Sequence, residues 1–394
     1  MTNFISTRNI QNIKNSKQAI IQGLAEDGGL FVPEKIDRFN DIYALKDLSY
    51  KDLALEIIHS IFNDLDKEEL RKVINSSYNK FDTEEITPLS KVNDDYFLEL
   101  FHGPTCAFKD VALQFLPNIL TMCNEDDKDI VILSATSGDT GKAALEGFKD
   151  VKGTKIKVLY PYKMVSEVQE KQMSTTGGNN TEVLAVKGNF DDCQRMVKET
   201  LENEKFDNIH LTSANSINIA RLVPQIVYYF KAYFTLLNNE EIIKDEKIDF
   251  VVPTGNFGDI LAGYIASLMG LPVGKLVCAS NKNNVLTEFI NTGVYKANRE
   301  FFNTMAPSID ILVSSNLERL LFLKSKDDKL VEDLMKKLKE DKVYQISDEL
   351  LNSIQKDFIA FDASEEEAEE VIERYYKEDN YLLDTHTAVA VVAA

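Results

Sequence analysis

One lysine lies where a predicted strand opens into a predicted helix. Residues 102–110 read His-Gly-Pro-Thr-Cys-Ala-Phe-Lys-Asp, so that apolar or small side chains flank Lys109. Such surroundings disfavour an ammonium ion, lower the pKa of a lysine and leave a free amine that can attack an aldehyde. A surface lysine at a helix start has the same local pattern, and position alone favours that simpler interpretation.

Two further strand-to-helix turns carry groups that can hold an anion. Residues 135–141 read Ala-Thr-Ser-Gly-Asp-Thr-Gly, and residues 253–259 read Pro-Thr-Gly-Asn-Phe-Gly-Asp. Hydroxyls, glycines and the free N–H groups of a helix start together seat a carboxylate or a phosphate. The second of these turns lacks both the Gly-x-Gly-x-x-Gly fingerprint of dinucleotide sites and the Gly-Lys-Ser/Thr of a P-loop. Ordinary tight turns fit both patterns equally well, so each pattern alone leaves two interpretations open.

A fourth segment places an arginine beside capping residues. Residues 215–221 read Asn-Ser-Ile-Asn-Ile-Ala-Arg and open a long amphipathic stretch. Asn215, Ser216 and Asn218 can cap that helix, and Arg221 can reach forward to an anion held at the helix end. Simple capping with a solvated arginine is the alternative, and this segment by itself favours it.

The elements that position these turns alternate in type along the chain. Short apolar runs predict strands at residues 96–101, 130–135, 156–161, 182–186, 209–213, 250–253 and 276–279. Amphipathic stretches predict helices at residues 111–120, 166–173, 191–201, 219–237 and 260–269. This alternation predicts a mostly parallel sheet with helices on both faces and with ligands at the carboxyl ends of the strands.

Capping residues mark two further helices outside this alternating region. Ser49, with Asp52 three residues later, resembles a capping box before a helical apolar pattern. Ser364 is a plausible cap for a strongly charged helix over residues 363–379. Within the long stretch after Arg221, an apolar stripe at helical spacing predicts helix core rather than a cofactor contact. That stripe consists of Val223, Ile226, Val227 and Phe230.

Length and charge limit the classes of function. At 394 residues the chain is too long for one ordinary core, which predicts two or three lobes. A formal net charge of −20 disfavours bulk electrostatic binding of nucleic acid or of an anionic membrane. The net charge does not exclude small anionic ligands, because salt screens exposed charges beyond roughly 8–10 Å. Whether such a ligand binds depends on the charges and donors of its own pocket.

Neither a membrane span nor a metal site is predicted. No run of about 18 uncharged apolar residues occurs, and the N-terminus lacks a basic region followed by an apolar run. Cys106, Cys123, Cys193 and Cys278 show no Cys-x-x-Cys spacing, which argues against zinc and against disulfides. We therefore expect a cytoplasmic protein, in which Cys106 is a small packed side chain rather than a nucleophile.

Read together, these motifs resemble threonine synthases in order and spacing. The matching segments are residues 23–33, 102–110, 136–141, 188–193, 215–221 and 255–259. The resemblance runs from about residue 4 to the end of the chain and is similar to the longer bacterial and fungal branch. It implies the tryptophan-synthase-β-like α/β fold, with two open, mostly parallel twisted sheets flanked by helices and pyridoxal 5'-phosphate between two lobes.

The same resemblance implies a domain division. Residues 1–90 are expected to form a mixed and helical N-terminal region. Residues 91–124 and 221–394 are expected to form the large cofactor-binding lobe, and residues 125–220 the smaller lobe.

Roles for individual residues also follow from the resemblance. Lys109 matches the lysine that forms a Schiff base with the cofactor, and Asp139 lies in the loop near the pyridine ring. The loop that holds the cofactor phosphate is matched by Gly255, Asn256, Phe257, Gly258 and Asp259. The residues expected to bind the substrate are Ser137, Gly138, Thr140 and Gly141 for its carboxylate and Asn215, Ser216 and Arg221 for its phosphate.

The implied reaction converts O-phospho-L-homoserine and water into L-threonine and phosphate, with Lys109 as general base. A dehydratase or cysteine-synthase-like β-eliminase is one alternative, which would share Lys109 but would not need Arg221 or Asn215 for a substrate phosphate. The other is a homologue that binds phosphate compounds without turnover, against which the intact Lys109 argues. The expected partners are a small substrate but neither nucleic acid nor membrane, and the expected state is a monomer or homodimer.

Two histidines and the chain end complete the expectations. His102 and His386 match family residues, but each is expected to be a satisfied structural histidine. Residues 387–394 form an apolar helical pattern without a terminating signal. In the family this helix is followed by a strand whose hydroxyl faces the pyridine nitrogen, so we expect a truncated form that binds the cofactor weakly. The alternative is a native chain end docked into the core.

Overall fold

The structure of the protein, a computed structural model, describes residues 2–126, 128–136, 138–203 and 206–394. An antiparallel sheet of three short strands, in the order β2-β1-β3, begins the chain. The elements of this N-terminal region are β1 (Phe4–Ser6), β2 (Asn9–Lys14), α1 (Ser16–Gln22), β3 (Phe31–Pro33), α2 (Tyr50–Ile61) and α3 (Lys67–Tyr78). Ser49 caps α2 by accepting a hydrogen bond from the backbone N–H of Asp52, as predicted.

A hairpin and two short helices follow and carry the lysine turn. They are β4 (Leu89–Val92), β5 (Asp95–Leu98), α4 (Asp110–Leu113) and α5 (Phe115–Cys123). Among the residues that the structure describes, the strand predicted at 96–101 pairs only with β4, in antiparallel register, and is not part of a parallel sheet. The single helix predicted at 111–120 is divided at Gln114 into α4 and α5.

Four parallel strands form the first α/β sheet, in the order β8-β7-β6-β9. Its elements alternate as predicted, with small differences at their ends: β6 (Asp129–Ala135), α6 (Gly138–Phe148), β7 (Thr154–Pro161), α7 (Glu167–Ser174), β8 (Thr181–Val186), α8 (Phe190–Asn203) and β9 (Ile209–Thr212). Alternate residues of β6 are buried against helices, because successive side chains of a strand point to opposite faces.

The second α/β sheet contains three parallel strands in the order β10-β11-β14. Its first elements are α9 (Ile219–Leu222), α10 (Ile226–Asn238), β10 (Ile248–Pro253), α11 (Gly258–Leu268), β11 (Val273–Ser280), α12 (Val285–Thr292) and β12 (Val294–Lys296). The remaining elements are α13 (Leu317–Ser325), α14 (Asp328–Asp341), β13 (Val343–Gln345), α15 (Asp348–Gln355), β14 (Phe358–Asp362), α16 (Glu365–Asp379) and α17 (Thr385–Ala393). Strands β12 and β13 form a separate antiparallel hairpin.

The helix predicted without interruption over residues 219–237 is interrupted by a 3₁₀ turn at Val223–Gln225. Pro224 lies in that turn, and a proline has no N–H to continue the α-helical ladder. The predicted stripe of Val223, Ile226, Val227 and Phe230 is buried, which confirms it as helix core. Ser364 caps α16 in a full capping box with Glu367, also as predicted.

Parallel sheets flanked by helices and a preceding N-terminal region confirm the predicted fold class. The boundaries proposed for the lobes stay a prediction. Within the described part of the chain, no helix has the combination of length and hydrophobicity that a membrane crossing needs. Cys123, Cys193 and Cys278 are buried, but Cys106 is exposed and has a φ of 54°, so the prediction that it is packed is wrong.

Candidate active site

A large cleft collects nearly all of the predicted site residues. Its volume is about 3590 Å³, which exceeds the several hundred Å³ of a typical small-ligand site. The predicted residues that line it are Lys109, Gly138, Asp139, Thr140, Asn215, Ser216, Arg221, Gly255, Asn256, Phe257, Gly258 and Asp259. Turns that lie far apart in the sequence therefore meet at one cleft.

Lys109 lies at the start of α4 with its side chain only 10% exposed. Its Nζ pairs with the Asp139 carboxylate and donates to Oγ of Ser308 at 3.2 Å. The Phe108 ring lies 4.9 Å from the same nitrogen. The predicted apolar setting is therefore only partly right, because the groups that contact the amine directly are a carboxylate and a hydroxyl.

Asp139 lies in the first turn of α6, beyond the carboxyl end of β6. Burial by itself would raise the pKa of Asp139, but the charge of Lys109 and hydrogen bonds from Lys109 and Ser308 lower it. The backbone N–H of Thr140 also donates to Asp139, at 2.8 Å. The cleft therefore holds an ionised carboxylate against the lysine.

Ser308, which the sequence did not single out, completes this cluster. It lies in a 3₁₀ turn at Pro307–Ile309, and its hydroxyl donates to Oδ2 of Asp139 at 2.7 Å. The backbone N–H of Ser308 donates to Nε2 of His386 at 3.0 Å. His386 thus accepts at Nε2 and holds the turn, which agrees with a structural histidine.

His102 is likewise satisfied at both ring nitrogens. Nδ1 lies 2.7 Å from Asp82 and Nε2 lies 2.9 Å from Glu99. Burial would lower the pKa of His102, but the two carboxylates raise it. The expectation that His102 is structural is confirmed by these contacts.

The turn at residues 255–259 surrounds a narrow space at the carboxyl end of β10. A Cβ on Gly255 would lie 2.8 Å from the carbonyl oxygen of Ser308, so that only glycine fits. Phe257 adopts a left-handed φ of 62° just before α11. Helix α11 therefore begins with its free N–H groups at the cleft, where they can hold an anion.

Asp259 differs from the rest of this turn. Its carboxylate accepts hydrogen bonds from Tyr228 at 2.6 Å and Tyr229 at 2.8 Å, and burial raises its pKa. The side chain thus anchors the first turn of α11 to α10, and it is the backbone of Asp259 that lies among the free N–H groups.

Arg221 is buried, with 4% of its surface exposed, so the alternative of a solvated arginine is wrong. Nη1 donates to the carbonyl oxygen of Ala214, while Nε has no hydrogen-bond partner among the described residues. Burial lowers the pKa of Arg221 to about 10, although the charge of Asp139 opposes the shift. The guanidinium is therefore still charged at neutral pH, and Arg221 is one of the residues that line the cleft.

The groups around Arg221 have distinct tasks. Asn218 caps α9 by accepting from the backbone N–H of Ala220 at 2.9 Å. Oδ1 of Asn215 accepts from Ser134, and Oγ of Ser216 accepts from Nδ2 of Asn316 at 3.3 Å. Asn215 and Ser216 therefore lie at the cleft without serving as the helix cap.

The glycines of the Asp139 turn also differ from one another. Gly138 has a left-handed φ of 60°, which requires glycine at the turn. Gly141 lies inside α6, and a Cβ there would lie 2.6 Å from Sδ of Met173 on α7. Gly141 therefore allows close packing between these two helices, and the substrate contact predicted for it stays a prediction. Ser137 lies outside the described residues.

Comparisons with known proteins agree with this geometry. Family models for the threonine synthase N terminus and for pyridoxal-phosphate dependent enzymes match residues 3–78 and 82–394. Threonine synthase of Saccharomyces cerevisiae is 40% identical, with 96% of this chain and 79% of the relative covered. The chain belongs to the threonine synthase family.

Further members of the threonine synthase family support the assignment. The enzyme of Pseudomonas aeruginosa is 40% identical over 99% of this chain and 84% of its own length. The crystal structure of the cofactor-bound threonine synthase from Brucella melitensis is 39% identical, with a TM-score of 0.94. It covers all of this chain and 85% of that one. The protein is accordingly an enzyme, a lyase whose cofactor is pyridoxal phosphate.

The cleft fits the cofactor of the threonine synthase family in its chemistry. A phosphorylated aldehyde needs an amine and an anion-binding turn, and the cleft contains Lys109 and the turn that has no room for a Cβ at Gly255. Arg221 offers a further buried donor with an unpaired Nε. Among the described residues, no group of His, Cys, Asp or Glu is arranged to hold a metal ion.

Proposed function

We propose that the protein converts O-phospho-L-homoserine and water into L-threonine and phosphate. The observation that carries the proposal is Arg221, a buried cation that lines the same cleft as Lys109 and whose Nε has no hydrogen-bond partner among the described residues. A buried arginine whose Nε has no partner is costly unless a ligand supplies an acceptor. A phosphate on the substrate would supply acceptors to this guanidinium.

In this proposal, Lys109 would hold the cofactor aldehyde. The cofactor phosphate would be held by the backbone N–H groups of the turn at Gly255, Asn256, Phe257, Gly258 and Asp259. Asp139 lies beside that lysine and takes part in the cofactor site. When bound, pyridoxal phosphate supplies an electron sink for the negative charge that develops at the substrate.

Lys109 then moves the protons. Its Nζ would take the proton at Cα and then one at Cβ, and after phosphate has left it would return a proton at Cγ. Once water has added at Cβ and lost a proton, Nζ would return a proton at Cα. Asp139 and Ser308 orient the amine for these transfers, because both contact Nζ directly. A single base that serves several carbon atoms must stay in place. The contacts of Nζ with Asp139 and Ser308 favour this.

The phosphate leaves from Cγ on the side of the 215–221 segment. Arg221 donates to the departing phosphate and stabilises its growing charge. Asn215 and Ser216 add polar groups next to it, and Gly138 and Thr140 lie at the helix start that would hold the substrate carboxylate. Ser137 belongs to the same predicted carboxylate turn.

A β-eliminase acting on serine or threonine is the second candidate. It would use Lys109 in the same way, but the unpaired donor of Arg221 would then have no acceptor. The test is an assay of phosphate release and amino-acid formation by the cofactor-loaded protein, with phosphohomoserine, serine and threonine compared. Equimolar threonine and phosphate from phosphohomoserine are expected, and deamination of serine or threonine alone would overturn the proposal.

We also infer the arrangement around the chemistry. The cofactor would lie between a lobe of residues 125–220 and a lobe of residues 91–124 and 221–394, after an N-terminal region of residues 1–90. A cytoplasmic location and a monomer or homodimer remain predictions, which fractionation and light scattering can check.

A further inference from the structure

A buried asparagine lies between the two turns to which phosphates are assigned. Asn316 is 0% exposed and immediately precedes α13. Its backbone N–H and its Nδ2 both donate to the carbonyl oxygen of Asn256, each at 3.0 Å. Asn316 thus fixes the backbone of the turn assigned to the cofactor phosphate.

The same side chain reaches the other turn. Nδ2 of Asn316 also donates to Oγ of Ser216 at 3.3 Å, in the segment assigned to the substrate phosphate. Its Oδ1 accepts from Nη1 of Arg319, whose Nη2 donates to the carbonyl oxygen of Ile217 at 2.5 Å. The amide therefore uses its two protons and its oxygen in one set of contacts that joins both turns.

Arg319 is held from the opposite side as well. Its Nε donates to the carbonyl oxygen of Phe31 at 3.0 Å, in β3 of the N-terminal sheet. Burial lowers the pKa of Arg319 to about 9, with the charge of Glu318 opposing the shift. The guanidinium has a backbone or amide oxygen at each nitrogen, so it is a rigid support for Asn316.

We propose that Asn316 is a positioning residue that fixes the cofactor-phosphate turn and the substrate-phosphate turn relative to each other. The proposal rests on the proposed function for the assignment of the two turns. Because one amide holds both, the affinities for both phosphates depend on it. A residue that contacts only one turn affects only one affinity.

Ser314 provides the matched control. Its hydroxyl donates to the carbonyl oxygen of Gly255 at 2.8 Å, which lies in the cofactor turn alone. Asn316→Asp keeps the shape and the contact with Arg319 but removes both side-chain donors and places a negative charge against the oxygen of Asn256. Ser314→Ala removes one contact to one turn.

Two binding measurements separate the variants. Equilibrium dialysis of the apoprotein gives the dissociation constant of pyridoxal phosphate, and titration calorimetry of the holoprotein gives that of inorganic phosphate. We expect Asn316→Asp to weaken the affinities for pyridoxal phosphate and for inorganic phosphate by about tenfold or more each, since each turn loses a hydrogen bond from Asn316. Ser314→Ala should weaken only the affinity for pyridoxal phosphate. An Asn316→Asp variant that changes one affinity alone, or neither, overturns the proposal.

A third variant covers the case in which Asn316→Asp does not fold. Oγ of Ser315 donates to Oδ1 of Asn256 at 3.2 Å and lies 3.4 Å from Oγ of Ser216, so it also spans both turns. Ser315→Ala should weaken both affinities by a few-fold, and an effect on one alone contradicts the proposal. If the wild-type protein makes no threonine but these variants lose both affinities, the proposed function fails and the positioning role stands.

Discussion

The hydroxyl of Ser308 donates to Oδ2 of Asp139 at 2.7 Å. That oxygen also contacts the amine of Lys109, and the amine in turn donates to the Ser308 hydroxyl. Three residues from separate parts of the chain thus form a closed set of contacts. The amine is held in one place although the lysine side chain is long and flexible.

Lys109→Ala is expected to abolish turnover and the visible absorbance of bound cofactor while leaving the fold intact. The covalent link needs an amine at this position, and alanine cannot supply one. Absorbance after dialysis, circular dichroism and threonine production are the measurements. Lys337→Ala, at an exposed lysine on α14, is the control and should behave as wild type. A Lys109→Ala protein that stays coloured and active contradicts the assignment.

Arg221→Lys is expected to weaken phosphohomoserine binding by about ten- to a hundredfold, because a charge-assisted hydrogen bond contributes about 1.5–3 kcal/mol. Lysine keeps the charge but loses the planar donor set. The Michaelis constant for phosphohomoserine and the dissociation constant of pyridoxal phosphate are the two measurements. Should cofactor affinity fall while substrate affinity holds, Arg221 belongs to the cofactor site.

Ser308→Ala is expected to make the apoprotein more sensitive to acid. The hydroxyl helps to lower the pKa of Asp139, so that its loss moves this pKa upward. A carboxylate with a depressed pKa stabilises the fold above its unfolded pKa, and this stability is lost as pH falls through the folded pKa. The variant should therefore begin to unfold at a higher pH than wild type, below about pH 5.

Asp139 is 40% exposed, so solvent screening limits the size of this effect to about 1 kcal/mol. Acid titration followed by circular dichroism measures it. Ser308→Thr retains the hydroxyl and should unfold at the wild-type pH. Identical acid midpoints for all three proteins would show that the hydroxyl does not stabilise the Asp139 carboxylate.

Gly255→Ala is expected to lower the thermal midpoint of the apoprotein and to weaken the affinity for pyridoxal phosphate by at least about tenfold. The added Cβ would lie 2.8 Å from the carbonyl oxygen of Ser308 and 3.2 Å from Cα of Ile309, so that backbone must shift. Gly258→Ala is the matched comparison. Its nearest atom would lie at 3.5 Å, and its thermal midpoint should stay close to wild type. Equal midpoints for the two variants would contradict this account.

Local patterns were sufficient for the parts of the site that begin helices. In the turns that carry Lys109, Asp139 and Gly255, glycines and hydroxyl side chains stand within a few residues of a helix start. This local pattern was enough to predict that each turn precedes a helix. The break at Pro224 was foreseeable for the same local reason. The antiparallel pairing of β5 was not foreseeable, since the sequence of a short apolar strand does not show whether its neighbour runs parallel or antiparallel to it.

Residues that act through distant contacts could not be predicted in this way. Ser308 meets Asp139 across 169 positions, and Asn316 meets Asn256 across 60. The spacing of residues within one segment does not predict such contacts, because they depend on how the two sheets pack. The same holds for Arg221, whose own segment suggests a solvated side chain whereas the surrounding helices bury it.

The N-terminal region supplies partners to two charged residues in the rest of the molecule. Arg8 pairs with Glu318 at 2.7 Å, Thr7 donates to the same carboxylate, and Phe31 accepts from Arg319. A chain that started at residue 82 would lack the cation that pairs with Glu318 and one of the three oxygens that accept from Arg319. The first 80 residues therefore supply the counterion of Glu318, and the rest of the chain depends on them for that charge balance.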